Sequence, residues 1–190
     1  FPTRRSSDLG LAEDGDPKAQ FLQGLMYEDG RGVERDLAQA EAWYRRAAEG
    51  DFAPAQLNLG LLLLAGENGE NESTEAAGWL RKAADQHIPH AQYTLALLFF
   101  EGEGVTRDPI AGALWLERAS RNGFAKAQAR LGLLHLRGDL VEQDFGIAAD
   151  LLQRAADQGD PVARSNLALL YVRGQGVEKD EEKAVELYRK

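Results

Sequence analysis

The chain has 190 residues, no cysteine, and 31 Asp and Glu against 22 Lys and Arg, which gives a net charge of −9. The lack of cysteine excludes disulfides, thiolate zinc sites and cysteine nucleophiles, and the negative charge argues against binding to nucleic acid. No apolar run approaches the ~18 residues of a membrane-spanning helix, so we expect no membrane insertion by this segment.

The first nine residues, FPTRRSSDL, fit neither the pattern that follows nor a secretory signal, which needs an apolar core. We expect residues 1–9 to be a foreign or disordered leader. Residues 11–15 match residues 155–159, where a second helix of the pattern closes, so we expect residues 10–16 to be the end of a truncated preceding repeat. The true N-terminus is not visible, so a soluble chain in the cytoplasm, the periplasm or the secreted fraction fits equally well.

An alanine recurs every 36 residues, and a fixed set of residues follows each copy. A glycine lies 11 positions after each alanine and an acidic residue lies 17 positions after it. The alanines are Ala19, Ala55, Ala91, Ala127 and Ala163. Glutamine follows four of them, and Arg164 follows the fifth. Self-similarity at this period predicts a solenoid in which each repeat packs on its neighbours.

The pattern predicts two helices in each repeat. In four of the five repeats the first helix begins near a proline, which suits the first helical turn, and in each repeat it ends at a glycine, which adopts the left-handed conformation easily. The second begins at the recurrent acidic residue, most clearly at Asp108, which precedes a proline and can cap the helix. The predicted repeats, numbered 1 to 5, span residues 17–52, 53–88, 89–124, 125–160 and 161–190, and the last is truncated.

Three repeats depart from this pattern at their turns. Repeat 2 has Gly-Glu-Asn-Gly at residues 66–69, and in repeat 4 Leu140 replaces the second glycine of Gly-x-Gly-Val. Repeat 1 closes with Gly50, one position early. We expect these turns to vary in conformation while the helices persist.

Trp43, Trp79 and Trp115 recur on the apolar face of the second helices, with alanines three and four positions away. That spacing indicates core residues that fill the space between layers, although Trp is also a favoured interface anchor. As a buried aromatic truncation, Trp115→Ala is predicted to cost about 3–5 kcal/mol of stability.

No metal site, cofactor site or catalytic site is predicted. A proline separates His87 from His90 and no third ligand is spaced nearby, while His135 occupies a slot that aromatic residues fill in other repeats. The chain lacks Ser-x-x-Lys, Gly-x-Ser-x-Gly, His-Glu-x-x-His and phosphate-loop motifs. Ser120 and Ser165 have no adjacent base. The chain is therefore not expected to be an enzyme.

The combined motif resembles the Sel-1-like repeat, a relative of the tetratricopeptide repeat with a slightly longer unit. It consists of Ala-x-x-x-Leu-Gly at residues 55–60, Gly-x-Gly-Val at residues 30–33, 102–105 and 174–177, and then Asp, Trp and Ala-Ala. The resemblance covers residues 11–190 and implies an all-α, right-handed superhelical α-solenoid with a 36-residue period. It also implies an adaptor in protein assembly, as in many bacterial signalling, envelope and host-interaction systems. It carries over no catalytic residue, and the chain lacks the disulfides of a cysteine-rich branch.

If tetratricopeptide geometry carries over, the first helices line a concave surface that holds a peptide or a partner helix. Positions two, three, nine and ten after each recurrent alanine should then point inward, with apolar and aromatic residues in the first three repeats and more basic residues in the last two. The nominated residues are Phe21, Leu57, Asn58, Leu64, Tyr93, Thr94, Phe100, Glu101, Arg130, Arg137, Asn166 and Arg173. Alternatively, Leu57, Leu64 and Phe100 are buried between repeats, and Asn58 and Asn166 are only solvated.

Three functions remain open at this point. A non-enzymatic scaffold or adaptor that binds a protein or peptide is favoured, because the nucleophile and base of an enzyme are absent. An envelope-associated hydrolase of β-lactam or peptidoglycan substrates is the alternative, because members of the cysteine-rich branch have been linked to such chemistry. A passive spacer between flanking domains is the third.

Overall fold

The computed structural model describes residues 11–66 and 70–189, and their regular structure is entirely helical. Residues 11–13 are helical and ten further helices follow. These are α1 (Pro17–Asp29), α2 (Leu37–Glu49), α3 (Ala53–Ala65), α4 (Glu70–Asp85), α5 (Pro89–Glu101), α6 (Pro109–Arg121), α7 (Ala125–Arg137), α8 (Phe145–Asp157), α9 (Pro161–Arg173) and α10 (Glu181–Arg189). Odd-numbered helices are the first helices of the repeats and even-numbered helices are the second. The predicted leader, residues 1–9, lies outside the described residues.

Side-chain caps begin the helices where the sequence predicts them. An Asp16 carboxylate oxygen accepts from the Ala19 backbone N–H at 2.7 Å, and an Asp108 oxygen accepts from Ile110 N–H at 3.1 Å. These bonds satisfy donors that a helix start leaves without an intrahelical partner. At the other end, Gly138 and Gly174 close α7 and α9 in the left-handed conformation.

The described residues form two compact units. The first contains the described residues up to Ala91 together with Glu103–Val105, and the second contains Gln92–Gly102 together with the described residues from Thr106 onward. In the first unit, Tyr44 and Leu59 are fully buried in one core cluster with alanines of α2 and α3. In the second unit, Leu116 and Leu152 are the equivalent fully buried residues of two clusters.

The tryptophans are not the buried core residues that their periodicity predicts. Trp43, Trp79 and Trp115 are only partly buried, whereas the next residue in each second helix is fully buried. This neighbour, such as Leu80, packs against a small residue of the first helix: a Cβ on Gly60 would lie 2.6 Å from the Leu80 Cγ atom. The core register therefore differs by one residue from the prediction.

A cation covers the outer side of each tryptophan ring. The Arg46 guanidinium carbon lies 4.7 Å from the Trp43 ring centre, Lys82 Nζ lies 4.0 Å from that of Trp79, and the Arg118 guanidinium carbon lies 4.4 Å from that of Trp115. Cation–π contact stabilises a partly hydrated indole ring. The tryptophans thus lie at the edge of the core, and one face of each ring is covered by the cationic side chain three residues later in the helix.

The recurrent glutamine, for which the sequence suggested no role, is a buried hydrogen-bonding residue. Gln56 Nε2 donates to the Ala48 carbonyl at 3.3 Å, and its Oε1 accepts from Gln86 Nε2 at 3.0 Å. Gln128 repeats this arrangement with the Ser120 carbonyl at 3.3 Å and Gln158 Nε2 at 2.8 Å. Each glutamine therefore ties the end of the preceding repeat to the end of its own repeat.

The turns vary less than the departures in sequence predict. Gly50 has φ −76°, and Asp51 takes the positive φ of 59° that glycine holds at the equivalent positions 15, 123 and 159. Leu140 likewise adopts φ 64°, close to the 63° of Gly104. The expected variation is therefore wrong for repeats 1 and 4. In repeat 2, Gly66 has an extended backbone with φ −71° and does not adopt the left-handed conformation, so this turn does differ. Residues 67–69 lie outside the described residues.

Candidate partner-binding face

Two of the four nominated residues in the first unit surround Tyr44. The Phe21 and Tyr44 ring centres are 5.7 Å apart, and Asn58 Nδ2 donates to the Tyr44 hydroxyl at 3.3 Å. Leu64 packs against the same core cluster, and Leu57 is partly buried. The face in this unit thus carries no charged nominated residue and rests directly on the core.

Tyr44 is itself held by a polar contact. Its hydroxyl donates to the Glu28 carboxylate while accepting from Asn58. Burial raises the pKa of the Tyr44 hydroxyl above its ordinary value, and the Glu28 hydrogen bond raises it further. The phenol therefore remains protonated, and the Asn58 amide is committed to it. Asn58 is consequently anchored rather than merely solvated.

In the second unit the nominated aromatic residues pack against other side chains, Tyr93 within its own repeat and Phe100 against the next repeat. The Tyr93 and Phe124 ring centres are 5.2 Å apart, and the Arg130 guanidinium lies 5.3 Å from the Phe100 ring centre. Tyr93 and Phe100 are both partly buried against one core cluster. Leu64 and Phe100 therefore take part in the packing that the alternative interpretation foresaw, although both remain partly exposed.

The charged nominated residues of the second unit are on the surface. Glu101, Arg130, Arg137 and Arg173 are exposed. Arg130 and Arg137 are seven residues apart on α7 and so share one helical face. Three arginines and one glutamate give this part of the face a positive balance, as predicted for the later repeats.

Two nominated residues have little free polar surface. Thr94 is buried, with 9% of its surface exposed, which removes it from the surface set. Asn166 is partly buried, and its Nδ2 donates to the Val162 carbonyl within α9 at 2.8 Å. The remaining residues keep their nomination as a prediction.

The residues considered for chemistry take structural positions. His135 Nδ1 lies 2.9 Å from the Glu142 carbonyl oxygen. Ser120 is buried, and Ser165 Oγ donates to the Pro161 carbonyl at 3.0 Å. His87 is exposed with φ 64°. Among the described residues, no group of three or more His, Asp or Glu side chains could hold a metal ion, and none of the helices described is both long and apolar enough to cross a bilayer.

A second surface was not predicted. A cavity of about 250 Å³, which we term the outer pocket, lies between α6, α7 and the turn that follows α7. Its lining residues are Ile110, Ala113, Leu114, Glu117, Leu131, His135, Leu140 and Val141. A comparison among the five repeats could have found it, because several of these residues are unlike their counterparts 36 positions away.

Comparisons with known proteins agree with this architecture. The Sel1 repeat family matches five consecutive segments, residues 17–52, 53–87, 89–124, 125–160 and 161–190. A search of curated proteins found no match. Among solved structures, a protective antigen of uropathogenic Escherichia coli with an SLR fold has a TM-score of 0.87 and 34% identity over 94% of this chain, which spans only 38% of that protein.

Two further structures complete the comparison. A Sel1 repeat protein from Oxalobacter formigenes has a TM-score of 0.83 and 35% identity over 93% of this chain and 72% of its own. The cysteine-rich protein B of Helicobacter pylori has a TM-score of 0.54 and 20% identity over 70% of this chain and 96% of its own, a likeness of fold alone. The predicted α-solenoid of two-helix repeats is thereby confirmed, and the chain belongs to the Sel1 repeat family.

Proposed function

We propose that this chain is a non-enzymatic scaffold that binds a peptide or partner helix on the face formed by its first helices. Sel1 repeat proteins are generally protein-interaction scaffolds. The observation that carries the proposal for this chain is the set of exposed side chains on α5, α7 and α9: Arg130, Arg137 and Arg173 are exposed, and the Arg130 guanidinium lies beside the partly exposed Phe100 ring. Rigid aromatic residues and arginine are the side chains that most often dominate binding energy at interfaces.

The partner class follows from the charges of this face. Arg130, Arg137 and Arg173 are exposed, and arginine binds carboxylates through two parallel hydrogen bonds. Tyr93 and Phe100 offer apolar surface nearby on α5. The face in the second unit therefore suits a segment that carries carboxylates next to an apolar side chain.

The test is a titration with a synthetic amphipathic peptide of leucine and glutamate, followed by amide chemical shifts. We expect shifts on α5, α7 and α9, and at least a tenfold weaker affinity in Tyr93→Ala and in Arg137→Glu. Arg154→Glu is the matched control, because Arg154 is an exposed arginine on the second helix α8. Equal affinity in Arg137→Glu and Arg154→Glu would sink the proposal.

The hydrolase alternative receives no support. The likeness to the cysteine-rich protein is 20% in identity and shows the fold alone. The hydroxyl of Ser165 donates to a backbone carbonyl of its own helix rather than to a base. No observation favours the spacer interpretation over the scaffold.

A further inference from the structure

The outer pocket carries three strongly exposed aliphatic side chains in one place. Ile110 is 70% exposed, Leu114 is 56% exposed and Leu140 is 52% exposed. Leu131 and Val141 complete its apolar wall. A cavity of about 250 Å³ is smaller than the usual ~300–1,000 Å³ of a small-molecule site. It suits one or two aliphatic side chains of a partner.

The repeat architecture does not require these aliphatic residues. The repeats supply an internal reference, because residues 36 positions apart hold equivalent places. The equivalents of Ile110 are Ala38, Thr74, Gly146 and Glu182, and those of Leu114 are Ala42, Gly78, Asp150 and Glu186. The equivalents of Leu140 are Gly32, Asn68, Gly104 and Gly176. Large apolar residues at all three places therefore distinguish this junction from the others.

Leu140 is also strained. Its φ of 64° lies in the left-handed region, where the Cβ of an L-residue is crowded by the following carbonyl oxygen. Glycine avoids this crowding, as at Gly104 and Gly176 with φ 63° and 70°. Strained residues that the fold does not need occur preferentially at binding and catalytic sites. An exposed, strained leucine at the mouth of an apolar cavity fits that description.

Two positions at or near the pocket are less positively charged than most of their equivalents in the other repeats. Glu117 lines the pocket, whereas its equivalents are Arg45, Arg81, Gln153 and Arg189. Gln143 stands where Arg35, Arg107 and Lys179 stand. Its Nε2 still donates to the Leu136 carbonyl at 2.8 Å, as Arg107 Nε donates to that of Phe100 at 2.9 Å. The structural hydrogen bond is thus kept while the positive charge is lost.

Glu117 is the acidic residue among those that line the pocket, and the turn that contributes Leu140 and Val141 is also acidic. Residues 138–144 contain Asp139, Glu142 and Asp144 and no lysine or arginine. Glu117 is paired only with the exposed Arg121 at 2.5 Å, and such a surface pair contributes little and can exchange partners. The Glu142 carbonyl can only accept a hydrogen bond, so the neighbouring His135 Nδ1 carries the proton. In the neutral ring Nε2 is then a hydrogen-bond acceptor.

We propose that the outer pocket is a second docking site, which binds a segment of a partner protein that presents one or two aliphatic side chains next to a lysine or arginine. This goes beyond the proposed function because the two surfaces lie on different faces of α7. Leu131 and His135 are four residues apart on one face, and Arg130 and Arg137 are seven apart on another. His135 and Arg137, two residues apart, point ~200° from each other around the helix.

The probe is a synthetic amphipathic peptide of leucine and lysine, with the leucine and glutamate peptide as its charge-reversed counterpart. Titration into the full chain is followed by amide chemical shifts at 0.15 M NaCl. We expect the lysine peptide to cause saturable shifts at residues 110–117 and 131–142. The glutamate peptide is expected to leave residues 110–117 and 138–142, which lie outside α5, α7 and α9, unchanged.

The variants replace pocket residues with residues that other repeats carry at the same place, so the fold is retained. Leu114→Asp, Leu140→Gly and Glu117→Arg are each expected to weaken the lysine peptide at least tenfold. Leu140→Gly is also expected to raise Tm, a combination that a purely structural role does not produce. Val162→Thr is the control: Val162 is 51% exposed on α9, outside the pocket, and the change should not affect affinity.

Three outcomes would overturn the proposal. These are unchanged affinity in Leu114→Asp and Glu117→Arg, lysine-peptide shifts confined to other surfaces, or occupation of the pocket by a second copy of the chain, seen as concentration-dependent dimerisation that Leu114→Asp abolishes. Arg137→Glu should leave binding of the lysine peptide intact. Failure of the outer-pocket proposal can therefore be distinguished from failure of the proposal for the first-helix face.

Discussion

The turns at residues 138–141 and 174–177 have nearly the same backbone but different surroundings. Leu140 and Gly176 have φ angles of 64° and 70°. A Cβ built on Gly176 would overlap the carbonyl group of Phe145 at the start of α8. Leu140 carries a Cβ at the equivalent position and points an exposed side chain into the outer pocket.

The difference shows that the distance from a turn to the preceding second helix is not uniform along the chain. Where the turn backbone contacts the start of the preceding second helix, glycine is required for two reasons: it adopts a positive φ and it has no Cβ. Where a leucine is present, the start of α6 must leave room for it, and a cavity results. A cavity of about 250 Å³ also lies between α2, α3 and Glu72, so the exposed aliphatic lining, and not the cavity itself, sets the α6–α7 junction apart.

The largest effect on stability is expected at Gly176, where the turn backbone lies against the start of α8. Gly176→Ala adds both strain and overlap, which together should lower the free energy of unfolding by about 3–5 kcal/mol. Gly159→Ala is the matched control, since Gly159 has φ 91° and nothing within 4 Å of a built Cβ. Its cost should be only ~1–2 kcal/mol. Equal losses in urea unfolding of the two variants would show that the contact is not tight.

We expect the junction beneath the outer pocket to be held by a densely packed core. Leu116 is fully buried in the cluster that includes Leu131, a wall of the pocket. Leu116→Ala should therefore cost about 3–4 kcal/mol. Trp115→Ala should cost about half as much, because the ring is only partly buried, which revises the sequence-based expectation downward. A larger loss for Trp115→Ala than for Leu116→Ala would reverse the register described above.

The opposite end of the same junction is held by polar contacts. Gln128→Leu removes the hydrogen bonds of Gln128 to the Ser120 carbonyl and to the Gln158 amide. Each of these groups keeps one partner, the Gly123 N–H at 3.0 Å and the Arg154 carbonyl at 3.3 Å. A net hydrogen bond contributes about 0.5–1.5 kcal/mol, so losing two of them should cost about 2 kcal/mol in thermal or urea unfolding. Gln153→Leu breaks only an exposed bond to Asp157 and should change stability by less than about 0.5 kcal/mol.

The smallest effect has the opposite sign. Leu140→Gly relieves the left-handed strain but adds backbone freedom to the unfolded chain, so we expect a net gain of about 0.5–1 kcal/mol. Leu140→Ala retains the Cβ and should bring no gain. If Leu140→Gly destabilises the chain, the leucine contributes packing that outweighs its strain, and the contrast between the two turns disappears.

Local sequence signals predicted the helices well because they depend on neighbouring residues. An aspartate before a proline and a glycine after the last apolar turn act within one or two turns of helix, as at Asp108 and Gly138. The 36-residue period then implied that these pairs stack. By contrast, the partial burial of Trp115, the burial of Thr94 and the left-handed φ of Leu140 depend on contacts that periodicity does not contain.

The sequence by itself therefore determined the helical pairs, their order and the class of fold, since each follows from short-range geometry repeated at a fixed spacing. Only the tertiary structure decided which side chain of each pair is buried, what the glutamines bind and where a cavity opens. The physical reason is that these depend on the separation of two backbones far apart in sequence. At Leu140 the start of α6 leaves room for a side chain, whereas at Gly176 the start of α8 leaves no room for a Cβ.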